Sequence, residues 1–543
     1  MIEAFSRKWL FRLLLAGFTV GACEEKPVGP LNDTNSTAGT GGAHTGGASA
    51  VGGTLGVAGA VGTGAMPSAQ GGKAGQLAMA GAAGFSETSG GAGNATTGGA
   101  VAVTGGAAGT NSGGTAGGGG ASAGAAGFVP RFISYGPSPY PVENPNSETK
   151  ALLGKILFWD EQLGGDSTVA CGTCHRPNAG GTDPRSAQVA AHLPGPDTLL
   201  DTADDVRGSL GVVRCDAQGV KTGLAVQVTG RKAPTYLDAM FSPQLFWDGR
   251  AECRSQGCPS FTAFEDPDNP GTFPITYGGA LENQAVGPPM SPVEMACEGA
   301  AWPALHARLA GAEPLKLARQ IPADLLQFIL ANDKSYPKLF AAAFGSQQTS
   351  GPTDEINTRR IAFAIATHER RLLSNQTAWD RWNAGDDAAL TPAQVRGFEL
   401  FHTKARCSLC HQPPTFADGA FHFIGFHKPA WDQGRYPFDT IASTPGAIRT
   451  PTLRNVGLRE ASGLTHSGAG PGISLEKLME LYNMGGLVND PDIAGVPISP
   501  TILPLQLTPD EIADIIDFMR NGLTDPRVAA ETAPFDRPLL STE

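Results

Sequence analysis

Two pentapeptides, Cys171-Gly-Thr-Cys174-His175 and Cys407-Ser-Leu-Cys410-His411, hold the residues best suited to chemistry in this 543-residue chain. In each, two thiols close together can form thioethers to a porphyrin edge, while the adjoining imidazole stands beneath the iron as proximal axial ligand. With 9 Cys and 10 His in the chain, chance would supply on the order of 0.003 such pentapeptides. Two of them therefore indicate two covalently attached haem c groups. A structural zinc site would want four converging ligands, and a redox dithiol has no need of the following histidine twice.

The elements that must position these motifs are similar to one another. Gly154-Lys-Ile-Leu157-Phe158 precedes the first motif and Gly397-Phe-Glu-Leu400-Phe401 the second. Both predict helices, with Leu153, Ile156 and Leu157 on one face and Val395, Phe398 and Phe401 approximating another. Thr391-Pro392-Ala393-Gln394 supplies an N-cap, a proline at the first helical position and a capping-box partner. Thr508-Pro509-Asp510-Glu511 repeats the device and opens a helix whose Ile512, Ile515, Ile516 and Met519 face one way before Gly522 ends it. A helix before the haem and a packed helix at the C-terminus is the skeleton of a cytochrome c domain. Two such units imply a duplication, joined near a helix over 354–374 and the segment 379–385. With few alternating runs to suggest strands, the fold expected is all-α: two tandem cytochrome c-like haem domains with long loops, at 128–378 and 379–543.

The first part of the chain is of another kind. Arg7, Lys8 and Arg12 precede a short apolar run from Leu13 to Val20 and then Gly21-Ala22-Cys23, which resembles a lipoprotein-type signal over 1–22. That reading implies a diacylated Cys23 and a periplasmic or cell-surface protein held to the membrane through its N-terminal lipid only. Residues 23–127 are rich in Gly, Ala, Ser and Thr, and after Cys23 the only aromatic residue up to Gly127 is Phe85. Such a segment buries too little apolar surface to offset the entropy of ordering, and it reads as a disordered stalk. A net charge of -12 argues against nucleic acid and is compatible with a basic electron donor. Outside Cys23 and the haem motifs stand Cys215, Cys253, Cys258 and Cys297, enough for two disulfides in an oxidising compartment, with three pairings open.

These residues resemble the bacterial di-haem cytochrome c peroxidases, including the MauG-like enzymes. The resemblance rests on both haem motifs with Leu153-Gly-Lys-Ile-Leu-Phe-Trp-Asp160, Arg231-Lys-Ala-Pro-Thr235, Leu245-Phe-Trp-Asp-Gly-Arg250, Gln284 through Met295, and Arg449-Thr-Pro-Thr-Leu-Arg-Asn455. It implies that His175 holds a peroxidatic iron and His411 an electron-transfer iron. Hydrogen peroxide is then the oxidant, and electrons come from a small c-type cytochrome or cupredoxin, or from side chains of a protein substrate. By the same resemblance Glu294 exchanges the peroxide protons, Gln284 hydrogen-bonds the bound oxygen, and Trp247 lies between the haems. Phe246 and Trp159 are left to the core.

Two departures from the classical enzymes bear on function. Leu224 stands where many members carry a histidine that blocks the peroxidatic iron, which implies an open site; His192 is the substitute by another route. The distal ligand of the second haem falls on Tyr482, as in MauG-like enzymes, where the classical ones use methionine; the alternative is Met484. Calcium is not assigned, because Lys232 replaces the family's usual Asn and Arg459 a common Thr. An ammonium there would compete with a cation. His466 falls on a family histidine near the second haem and is given no catalytic role. An electron carrier without peroxide chemistry is the reading from another class, and Glu294 and Gln284 argue against it.

Overall fold

The computed structural model describes residues 132–543 except 195–197, 200–204, 346–354, 441–443, 467–473 and 488–490, and leaves out the side chains of Val206, Leu224, Ala225 and Asp492. The signal, Cys23 and the stalk lie outside the described residues.

Helix α1, Glu148–Trp159, carries the first repeated phrase and is buried along nearly its whole length. Its chief neighbour is a long helix, Thr358–Glu369, which opens on the Asn357 side chain accepting from the Arg360 amide. The two backbones come close at Gly154, where a Cβ would lie 1.9 Å from the Ala364 carbonyl oxygen. The second unit repeats the arrangement. Helix Pro392–His402 packs on Pro509–Asp517, and a Cβ at Gly397 would lie 2.1 Å from the Asp514 carbonyl oxygen. The glycine that opens each repeated phrase is thus the residue that lets its helix touch a partner. Both expected Thr-Pro starts are capping boxes, at Thr391 with Gln394 and at Thr508 with Glu511.

Two apolar cores follow from these pairs. One gathers Leu153, Ile156, Phe158, Trp159, Phe264, Leu325, Phe340 and Ile361, and the tail returns to it through Val528, Phe535 and Leu540. The other is built on Trp379, Phe398, Phe401, Phe416, Ile515 and Phe518, whose rings meet mostly edge to face or tilted, geometry that aromatic pairs favour.

The described residues are largely helical but not all-α. Strands β1, Leu210–Cys215, and β2, Lys221–Val228, form an antiparallel hairpin, and two further ladders pair two residues each. The hairpin escapes the sequence pattern because Gly211 and Gly223 interrupt the alternation and its register shifts twice between Leu210 and Cys215. Its turn is marked by Gly219 at φ +78°. The expected join over 354–374 is narrower, a helix over Thr358–Glu369. The cysteine pairing left open is Cys215 with Cys297 and Cys253 with Cys258. No helix among the described residues is long and apolar enough to cross a membrane.

Candidate functional site: two adjoining haem cavities

Each Cys-x-x-Cys-His motif opens onto its own cavity. Cys171, Cys174 and His175 line one of about 490 Å³. Cys407, Cys410 and His411 line another of about 260 Å³. All four motif thiols are free, whereas the other four cysteines among the described residues are bridged. Burial pushes the Cys171 and Cys407 thiols up to about 12, which favours their protonated form.

The two histidines are held alike. His175 Nδ1 lies 3.3 Å from the Gly181 carbonyl oxygen, and His411 Nδ1 lies 2.8 Å from that of Phe416. Donation from Nδ1 to a carbonyl fixes the tautomer and leaves Nε2 with its lone pair for a metal. Burial lowers both imidazole pKa values, which favours the neutral, ligating form. Gly181 sits at φ +83°, and a Cβ there would lie 2.3 Å from Thr235 Oγ1; this turn tolerates only glycine.

The first cavity brings together what the sequence reading placed there. Gln284, on the short helix Ala280–Ala285, and Glu294, in the loop after it, both line it with His175. The β1–β2 hairpin holds the Glu294 loop: Val212 N donates to the Glu294 carbonyl at 3.0 Å, Glu298 N to the Cys215 carbonyl at 2.8 Å, and the Cys215–Cys297 bridge closes the contact. Burial raises the Glu294 carboxyl above its ordinary range and Arg250 acts against it. Arg250 itself lies 3.8 Å over the Phe246 ring. Phe246, assigned to the core from sequence, lines this cavity at φ +66°. Trp159 is core, 2% exposed, and packs on Gly172 of the motif.

Sequence reasoning passed over Glu369 and Tyr236, which complete the first cavity's wall. Tyr236 lies 5.4 Å from His175 between ring centroids. Burial, the largest effect on Glu369, pushes its carboxyl up to about 8, and its Oε2 has no hydrogen-bond partner. His192 does not line the cavity; it pairs with Asp205. Leu224 lies in β2, and its side chain is outside the described ones.

In the second cavity Tyr482 lines the wall, 4.7 Å from Phe426 between ring centroids, with its phenol pKa raised by burial. Met484, the alternative, is 55% exposed at the end of the helix Leu475–Met484 and does not line the cavity. Met479 and Met519 do line it. His466 and His427 also face this cavity, 4.5 Å apart between ring centroids. Burial, followed by His427, pushes His466 down to about 3.

Trp247 lines both cavities. Its Nε1 donates to the Lys232 carbonyl at 2.7 Å, and its own carbonyl accepts from the Arg449 amide at 2.9 Å. Lys232 and Arg449 likewise line both cavities, and Arg459 lines the second. All three cations are buried, and none has an ion-pair partner among the described residues. Burial pushes Arg449 and Arg459 down to about 10, and burial with the Arg459 charge pushes Lys232 down to about 7. Buried cations left unpaired are costly, and a porphyrin carries carboxylates. Free thiols, imidazoles with Nε2 available, and cations awaiting an anion together fit covalently held haem at both sites.

Such a pair of sites on a mainly helical frame defines a di-haem c-type redox protein. Residues 148–388 match the family model of di-haem cytochrome c peroxidases. The methylamine utilization protein MauG of Methylorubrum extorquens is 28% identical over 398 residues, 73% of this chain and 84% of its own. The cytochrome c peroxidase Ccp of Escherichia coli is 26% identical over 363 residues, 65% of this chain and 58% of its own. A solved MauG-like protein associated with microbial copper homeostasis shares the fold with a TM-score of 0.50 and 24% identity, covering 75% of this chain and 97% of that one. Residues 148–388 thus match the di-haem cytochrome c peroxidases, the chain as a whole is similar to MauG and to Ccp, and the protein is an oxidoreductase.

Proposed function

We propose that the protein reduces hydrogen peroxide to water in the His175 cavity, with electrons arriving through the His411 site and Trp247 from a periplasmic donor such as a small c-type cytochrome or cupredoxin. Haem at His175 would supply the redox chemistry of O–O cleavage. The protein's part is the proton traffic: Glu294 takes a proton from the near oxygen of peroxide and returns it to the leaving oxygen, while Gln284 orients the substrate. The observation that carries this reading is that Glu294 and Gln284 face the same cavity as His175. Trp247 bounds both cavities, which suits an aromatic relay. The domain division at 378/379, with the first unit peroxidatic and the second electron-transferring, belongs to this proposal. So does the lipid anchor at Cys23. Calcium has no part in it.

A second reading is favoured by Tyr482. A phenol facing the second cavity while Met484 points away supports a MauG-like enzyme that uses peroxide to oxidise side chains of a partner protein, with the oxidising equivalents shared between both haems.

Glu294→Gln tests the first claim. The variant keeps the size and hydrogen-bonding capacity of the side chain but cannot take the proton. Peroxide turnover is expected to fall about 10²–10⁴-fold, with haem content and electron uptake from a chemical reductant unchanged. Undiminished turnover would remove Glu294 from the mechanism.

A further inference from the structure

Of the four cations lining the first cavity, Arg231, Lys232, Arg250 and Arg449, two are committed to protein carboxylates. Arg231 is bound by Asp432 at 2.6 Å and also by Asp248, and Arg250 by Asp248 at 3.1 Å. Lys232, next in sequence to Arg231, is not. It is 2% exposed and lines both cavities. Its ammonium donates to Ser462 Oγ at 2.6 Å and to the Gly463 carbonyl, both neutral oxygens. Neutral dipoles alone do not offset the desolvation of a buried charge, and burial drives such an amine towards its neutral form; an anion brought by haem would hold it charged. Each porphyrin brings a pair of propionates.

The backbone of the same residue ties the two sites together. The Lys232 amide donates to the His466 carbonyl at 2.9 Å, in the wall of the second cavity, and its carbonyl holds the indole of Trp247, which bounds both. The residue is therefore anchored at both ends, its ammonium on Ser462 and on Gly463, which borders the second cavity.

We propose that Lys232 is a cation shared by the two haem sites, its ammonium serving the propionates of both and setting their reduction potentials together. A positive charge held there by the propionates stabilises the more electron-rich, reduced state of each centre, so its removal lowers both potentials. The inference rests on the presence of two haems. It does not depend on the roles assigned to Glu294, Gln284 or Trp247.

The test is a spectroelectrochemical titration of the holoenzyme, following each haem separately, in Lys232→Met and Lys232→Arg. Both midpoint potentials are expected to fall in the methionine variant and to stay near wild type in the arginine variant. Lys232→Gln, which keeps a donor for Ser462 and Gly463 without the charge, replaces the methionine variant if that one fails to load haem. A fall in one potential alone would place Lys232 in a single site and overturn the proposal. So would unchanged potentials, or an arginine variant that falls as far as the neutral one. Loss of peroxide turnover with both potentials intact would count against Lys232 and leave the peroxidase reading standing.

Discussion

The His175 and His411 cavities share a motif, a carbonyl-held imidazole and a wall at Trp247, yet they differ in their acids. Asp248, Glu294, Glu369 and Asp432 line the first, with Gln284 and Gln433 beside them. No carboxylate among the described residues lines the second, where Ile424, Leu453, Leu475, Met479 and Tyr482 make up much of the wall. A centre that breaks O–O must move protons, and a centre that only stores an electron is better served by an apolar surround. Repetition of one helix pair thus supplies two haem seats, and under the proposed function the residues around each seat divide the labour.

Two further variants probe that division. The larger effect is expected from removing the Cys215–Cys297 bridge, which ties the hairpin to the Glu294 loop. Its cysteines are 82 residues apart, and closing so long a loop is worth about 4 kcal/mol. Cys215→Ala with Cys297→Ala is expected to lower stability in denaturant by about that amount and to slow the peroxide reaction, with the spectrum of the second haem unchanged. Equal disturbance of both haem spectra would show that the two seats are not independently supported.

A smaller effect follows from Arg250, which holds the Glu294 carboxyl down against the upward push of burial. Glu294 accepts the peroxide proton only as the carboxylate, so the reaction slows as pH falls through its raised pKa. Arg250→Gln removes the opposing charge and is expected to move this acid limb to higher pH, by a fraction of a unit because Arg250 is partly exposed. A pH-rate profile of the peroxide step reads it. An unmoved limb would assign the titration to another group, Glu369 being next.

What the sequence revealed, and what it hid, has physical causes. The haem motifs, the repeated helices and their capping boxes are local signals, and each stands where the spacing put it. The hairpin was hidden by its glycines and register shifts. Phe246 passed for core because a left-handed φ leaves no mark in an apolar run. Tyr482 and Met484 are two positions apart, about 200° around a helix, so one faces inward when the other faces out. Only the packing of Leu475–Met484 fixes which. The disulfide partners needed the hairpin to bring Cys215 beside Cys297. Lys232 was noticed for its charge, but its place in both cavities depends on the fold.

The most direct test of this division is the electron paramagnetic resonance spectrum of the as-isolated diferric protein, before and after one equivalent of hydrogen peroxide. The account predicts a high-spin signal from the His175 site that disappears at once on peroxide addition; loss of the second site's signal with it would favour the reading based on Tyr482. Two low-spin signals that ignore peroxide until an electron is added would mean that the His175 site is blocked at rest, and would contradict an open first cavity.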